Sequence, residues 1–189
     1  MRRVVKIGGS LVSDRERLRA LLADCAQCAP VAIVPGGGPF ADAVRATQAT
    51  LGFDDALAHR LALDAMGRMA EVFSALEPRL AVAASPEAVA AALDRGRAAI
   101  WDPVALKAGR PDIAESWEVT SDSLALWLAA RLGAERCVIV KSADIPPGAD
   151  PAALARAGLV DAAFPRFAAA YPGDILIRGP EPVSGRHAA

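Results

Sequence analysis

Twice near its start the chain carries an apolar run into a cluster of glycines, and few folds can use that arrangement. Arg3-Val4-Val5-Lys6-Ile7 stops at Gly8-Gly9-Ser10, and Val31-Ala32-Ile33-Val34-Pro35 stops at Gly36-Gly37-Gly38-Pro39-Phe40. Each cluster is followed by apolar residues at helical spacing, so each reads as strand, bare turn, helix. A glycine turn at a helix N-terminus presents amides to an anion with no Cβ in the way. Two such turns on neighbouring parallel strands meet at one edge of a sheet, where ligands of open α/β sheets bind. The pattern predicts a phosphate-handling site, with Lys6 as its cation.

The rest of the chain repeats the alternation. Ser13 or Asp14 caps a predicted helix through Cys28, with Leu18, Leu21, Leu22 and Cys25 as its apolar stripe. Pro39 suits the first turn of a helix to Leu51, and Gly52 ends it. Asp54 and Asp55 open a long helix through Leu76, with Leu57, Leu61, Met66, Met69 and Phe73 at near-helical spacing. Strands are predicted over 80–83, 98–101, 137–140 and 175–177. Further helices are predicted over 86–95, 123–132, 151–157 and 163–171, and Thr120-Ser121-Asp122 reads as a helix cap. Residues 104–118 read as a surface loop, and the tail from Pro180 as frayed. Strands alternating with helices call for a mainly parallel sheet covered on both faces, built as one domain over residues 1–189.

Composition narrows the partners. Net charge is −1, from 21 basic and 22 acidic residues, which is no footprint for nucleic acid. The only lysines are Lys6, Lys107 and Lys141, so a lysine at a strand end is more informative here than usual. Cys25, Cys28 and Cys137 complete no metal set and are expected as small buried or half-buried hydrophobes in a reducing compartment. Lys6 and Gly8-Gly9 interrupt any leader-like apolar run, and no window is long and uncharged enough for a membrane span. The expected setting is soluble and cytoplasmic.

Two common nucleotide motifs are missing. No lysine follows the glycines as a Walker-type loop requires, and Gly36 to Ala41 does not spell G-x-G-x-x-G. Instead Lys6-Ile7-Gly8-Gly9-Ser10, Pro35-Gly36-Gly37-Gly38-Pro39, and Thr120-Ser121-Asp122-Ser123-Leu124-Ala125 followed by Leu132-Gly133-Ala134 resemble the amino acid kinase family, in that family's order. That family includes acetylglutamate, aspartate, glutamate, uridylate and isopentenyl phosphate kinases. The short chain, Gly38-Pro39-Phe40-Ala41-Asp42, Ala58-His59 and Ser116-Trp117 resemble one small branch, the kinases of methanofuran biosynthesis. That branch converts an (aminomethyl)furanmethyl phosphate to its diphosphate.

The resemblance implies an αβα three-layer sandwich on an open, mostly parallel sheet of about eight strands. It implies ATP with Mg²⁺, a small-molecule acceptor and a homo-oligomer associating through the long helix. Lys6 and Lys141 would be the cations around the moving phosphoryl group, with Asp122 orienting them. Gly8, Gly9, Ser10 and Ser121 would meet the ATP phosphates, and Gly36, Gly37 and Gly38 the transferred phosphate or the acceptor. His59, Asp42 and Trp117 would meet the acceptor. Plainer roles stand beside these: Asp122 as a capping acid, His59 as a satisfied core histidine, Asp42 on a solvated helix face, and Trp101 or Trp117 in core packing. Uridylate or isopentenyl phosphate kinase activity, and nucleotide or oxyanion storage on the same fold, remain as alternatives. Where many relatives carry a Thr-Asp-Val-x-Gly-Val run, this chain has Lys141-Ser142-Ala143-Asp144-Ile145-Pro146, so the adenine contacts stay open.

Overall fold

Six short apolar runs form the sheet of the computed structural model, which describes residues 2–180. The expected frayed tail falls on residues 181–189, outside the described residues. The strands are β1 (Arg3–Ile7), β2 (Val31–Pro35), β3 (Ala81–Ala83), β4 (Ala99–Trp101), β5 (Arg136–Val140) and β6 (Asp174–Arg178). They lie in the order β3-β4-β2-β1-β5-β6, and every pairing is parallel. Among the described residues the sheet therefore has six strands where about eight were expected. β2 is buried along its whole length, as a strand flanked on both edges and covered on both faces must be.

Helices cover both faces. α1 (Arg15–Gln27) and α3 (Asp55–Leu76) bury Leu18, Leu22, Met69 and Phe73 against Ile7, Ile33 and Ile100 on one side. On the other, α4 (Pro86–Asp94), α5 (Ser121–Arg131), α6 (Pro151–Arg156) and α7 (Phe164–Ala170) enclose Val4, Val34, Trp101, Cys137 and Ile139. Phe73 is fully buried, and truncating it to alanine would cost about 3–5 kcal/mol. The remaining helix, α2 (Gly38–Leu51), buries no residue and packs on α3 and on a 3-10 turn, Gly9–Ser13.

Side-chain capping fixes the helix starts. Asp14 accepts from Arg17 N at 3.1 Å, Asp54 from Leu57 N at 2.7 Å, and Ser85 from Ala88 N at 3.2 Å. The stretch expected as loop begins instead with a 3-10 turn, Pro103–Ala108, capped by Asp102. Leu57 and Leu61 are exposed, whereas Met66, Met69 and Phe73 are buried, so the core stripe of α3 runs through a different set than the spacing suggested. Cys25 and Cys137 are buried, and burial pushes the Cys25 thiol up to about 12; Cys28 is exposed, against expectation.

The order of the strands decides where a ligand can sit. From β1 the chain passes to β2 on one side, and later returns to β5 on the other. The crevice at the C-terminal end of β1 is thus the switch point of the sheet. Gly8, Gly36 and Lys141 all stand at that edge.

Candidate active site

Side chains alternate along a strand, so Val4 and Lys6 leave β1 on the same face, the one covered by α5. Lys6 is 4% exposed, and its Nζ lies 2.8 Å from Asp122 Oδ1. Lys141, just past the end of β5, places its own Nζ 2.5 Å from Asp122 Oδ2. One buried carboxylate thus holds two ammonium groups, and those are two of the chain's three lysines. The third, Lys107, pairs with Asp64 at 2.7 Å, away from this cluster. Burial by itself would raise the Asp122 carboxyl, but Lys6 and Lys141 outweigh it and hold Asp122 below the usual carboxylate range. Lys141 is pushed down by burial and by the like charge of Lys6, against the pull of Asp122.

The glycine turns lie directly above. A Cβ on Gly8 would sit 3.7 Å from Lys6 Nζ, so the ammonium lies close beneath the turn. The two turns also press backbone on backbone: a Cβ on Gly9 would lie 2.2 Å from Gly38 N, and one on Gly36 would lie 2.4 Å from Gly9 N. Gly9 and Gly36 are therefore glycines for steric reasons, whatever they bind. Not all the expected amides are open. The Gly8 N–H donates to Val140 O at 3.0 Å and the Gly36 N–H to Ile7 O at 2.8 Å, each extending the sheet ladder. Gly9, Ser10, Gly37 and Gly38 stand at the start of their helical turns, where amides have no partner within the helix. Ser10 Oγ lies 2.6 Å from Ser142 Oγ.

α5 begins differently from expectation. Thr120 makes no side-chain cap; Asp161 does the capping from the segment between α6 and α7. Its carboxylate accepts from Thr120 N at 2.9 Å, Thr120 Oγ1 at 2.8 Å and Ser123 N at 3.0 Å, and also from Ser123 Oγ. These bonds bracket Asp122 and fix the backbone that carries it. Burial raises the Asp161 carboxyl, and the nearby Asp122 charge adds to it, against the donors from Ser123 and Thr120.

Beside this floor opens a cleft of about 210 Å³, bordered by Gly9, Ser10, Gly36, Gly37, Gly38 and Ser121. Its far wall carries Asp42, Arg45, His59 and Trp117. His59 is buried, and its Nδ1 is 3.2 Å from the Ser116 carbonyl. A carbonyl only accepts, so Nδ1 carries the proton and Nε2 is left as an acceptor. Burial, outweighing the Ser116 carbonyl, pushes His59 below the usual imidazole range and keeps it neutral. Trp117 Nε1 donates to Gln48 Oε1 at 2.6 Å, and the Arg45 guanidinium lies 3.9 Å above the Trp117 ring centre. One ring face is thus already taken. Trp101 is fully buried and stacked on Trp127 at 5.8 Å, which is a core role. Among the described residues, no three His, Cys, Asp or Glu side chains converge as metal ligands, and no helix is long and apolar enough to cross a membrane.

Of the residues the sequence singles out, the fold gathers Lys6, Lys141 and Asp122 into one ion cluster beneath Gly8, and sets Gly9, Ser10, the Gly36 to Gly38 turn, Ser121, Asp42, His59 and Trp117 around the adjoining cleft. Sequence pattern alone does not single out Arg45 or Asp161. Arg45 stood three residues beyond Asp42, on the same side of a helix. Asp161 gave no signal, because its partners lie about forty residues earlier in the chain.

The model of the amino acid kinase family matches residues 1–145. A curated relative, the [5-(aminomethyl)furan-3-yl]methyl phosphate kinase of Methanocaldococcus jannaschii, is 33% identical over 144 residues. That match takes in 75% of this chain, and the chain spans 66% of the relative's length. Among solved structures, the uridylate kinase of Archaeoglobus fulgidus superposes with a TM-score of 0.70 at 17% identity, over 94% of this chain and 90% of that one. The UMP kinase of Bacillus anthracis gives 0.69 at 15% identity, over 94% and 86%. At such identities these likenesses speak for the fold alone.

Proposed function

The chain belongs to the amino acid kinase family, and on that premise we propose that it moves the γ-phosphoryl group of ATP to a phosphate monoester. The acceptor we propose is the substrate in the relative's name, [5-(aminomethyl)furan-3-yl]methyl phosphate. One observation carries the reading: Lys6 and Lys141 share the buried Asp122 directly beneath two turns with open amides. Phosphoryl transfer asks for little covalent help; it asks for positioning and for positive charge where negative charge spreads.

The site's parts then divide the work. Gly9 and Ser10 donate to the phosphates of ATP, and Gly37 and Gly38 to the group in flight. An oxygen of the acceptor phosphate attacks the γ-phosphorus, that bond forms, and the bond to the β–γ bridging oxygen breaks, releasing ADP. A phosphate monoester is ionised near pH 7, so its attacking oxygen has no proton to lose and no general base is needed. Lys6 and Lys141 follow the charge as it moves to the leaving oxygen, and Asp122 holds both in register. Asp42 and the free Nε2 of His59 face the acceptor ammonium. A hollow lined by the side chains of Ile145, Pro147, Leu154 and Ile177 together with polar backbone groups is the seat we propose for the nucleotide base. Among the described residues no set of His, Cys, Asp and Glu side chains converges on a magnesium site, and the ion would be held by the ATP phosphates themselves.

The test is ADP release from ATP and Mg²⁺ with four acceptors: the furan phosphate, UMP, isopentenyl phosphate and acetylglutamate. Turnover confined to the furan phosphate, and lost in Lys6→Ala, is the expected result. Turnover with UMP or isopentenyl phosphate instead would keep the kinase and discard the acceptor. ATP binding without turnover would favour nucleotide or oxyanion storage. We also propose a single kinase domain that self-associates through the exposed side of α3, where Leu57, Leu61 and Val72 are uncovered. Light scattering that finds only monomer at assay concentration would remove that assembly.

A further inference from the structure

A dianionic acceptor brings a charge problem that the cluster beneath the turns does not solve. Lys6 and Lys141 share Asp122 and stand beneath the turns, at the place where ATP phosphates would also need them. Of the side chains lining the cleft, Arg45 alone carries a fixed positive charge. Among the described residues Arg45 makes no ion pair, although Asp42 lies three positions earlier on the same helix. Its guanidinium is held instead over the indole of Trp117. That indole is fixed in turn: its N–H donates to Gln48 Oε1, and Gln48 Nε2 donates to Asp55 Oδ1 at 2.8 Å. A guanidinium resting on a ring keeps its edge N–H groups open, in the fork that matches two oxygens of a phosphate.

The reach is right as well. Seven residues of helix separate Gly38 from Arg45, about 10 Å along the axis, and helical side chains lean back toward the N-terminus. A long arginine therefore spans most of the way to the glycine turn where the reacting phosphate must lie.

We infer that Arg45, braced on Trp117, is the specificity-determining cation that receives the acceptor's own phosphate. This rests on the kinase reading above and deepens it: the site selects acceptors that already carry a phosphate and discriminates against the corresponding alcohols.

Calorimetry on the full-length protein tests this, with the furan phosphate and a non-hydrolysable ATP analogue titrated separately into wild type, Arg45→Gln and Arg45→Lys. The expected result is furan phosphate affinity about 10- to 100-fold weaker in Arg45→Gln, an intermediate loss in Arg45→Lys, and unchanged affinity for the analogue. A loss smaller than tenfold in Arg45→Gln, a parallel loss for both ligands, or no binding by wild type would overturn the inference. ADP release by wild type reads the kinase assignment on its own. Turnover with undiminished acceptor affinity in Arg45→Gln would sink the role of Arg45 and leave the kinase. Arg45-dependent binding with no ADP release would do the reverse.

Discussion

The two sides of the cleft are built on opposite terms. Its floor is closed: Lys6 and Asp122 are each 4% exposed, and every charge there has a partner. Its far wall is open where α2 forms it, and closed only at His59. α2 buries nothing, and Asp42 and Arg45 stand in solvent with no ion-pair partner among the described residues. A buried, compensated cluster is costly to assemble and cannot readjust, so it suits the step common to a whole family of reactions. The exposed α2 part of that wall can change residues at little cost to stability, which suits the part that tells one acceptor from another.

Four substitutions would break or sharpen that contrast. Lys6→Ala should lower kcat for ADP release by about a thousandfold, while the far-ultraviolet spectrum stays that of wild type. A decrease of tenfold or less would mean the floor is structural only. Asp122→Asn should leave the buried Lys6 and the half-buried Lys141 ammonium groups facing one another and cost about 3 kcal/mol in urea unfolding. Stability equal to wild type would show that the lysines do not depend on that carboxylate. Asp161→Asn removes the charge but not the shape of the cap, and should reduce kcat about tenfold with the KM for ATP little changed. A higher KM with unaltered kcat would point to ATP binding instead of the setting of Asp122. Leu61→Glu, on the open side of the molecule, should change unfolding free energy by less than about 0.5 kcal/mol. It should lower the mass seen by light scattering if α3 is an interface. A large loss of stability there would place Leu61 in a core.

The floor was far more legible in the sequence than the wall. Lys6-Ile7-Gly8-Gly9 and Lys141 at a strand end announce themselves, because a lysine inside an apolar run or at its close conflicts with ordinary burial and asks for a reason. The strands read well because short apolar runs were bounded by glycine or proline. Three things were hidden. The cap of α5 comes from Asp161 across a long sequence separation, and pattern reading sees only neighbours. The amides of Gly8 and Gly36 are spent on the sheet, which depends on strand register and not on residue type. Arg45 looked like any arginine on a solvated helix until Trp117 came to lie beneath it. Leu57 and Leu61 misled for a related reason, since helical spacing gives a stripe without saying which neighbour covers it.

The mutual contact of Gly9 with Gly36 and Gly38 has a mechanical consequence. With amide nitrogen and α-carbon of one turn pressed where a side chain of the other would be, and with the Gly8 and Gly36 amides bonded into the sheet ladder, the two turns can neither close further nor slide past one another. In a kinase built on them, the cradles for donor and acceptor would form one rigid jig. The gap the phosphoryl group must cross would then be set when the chain folds, not when the substrates arrive, and motion during turnover would fall to the open helix beyond.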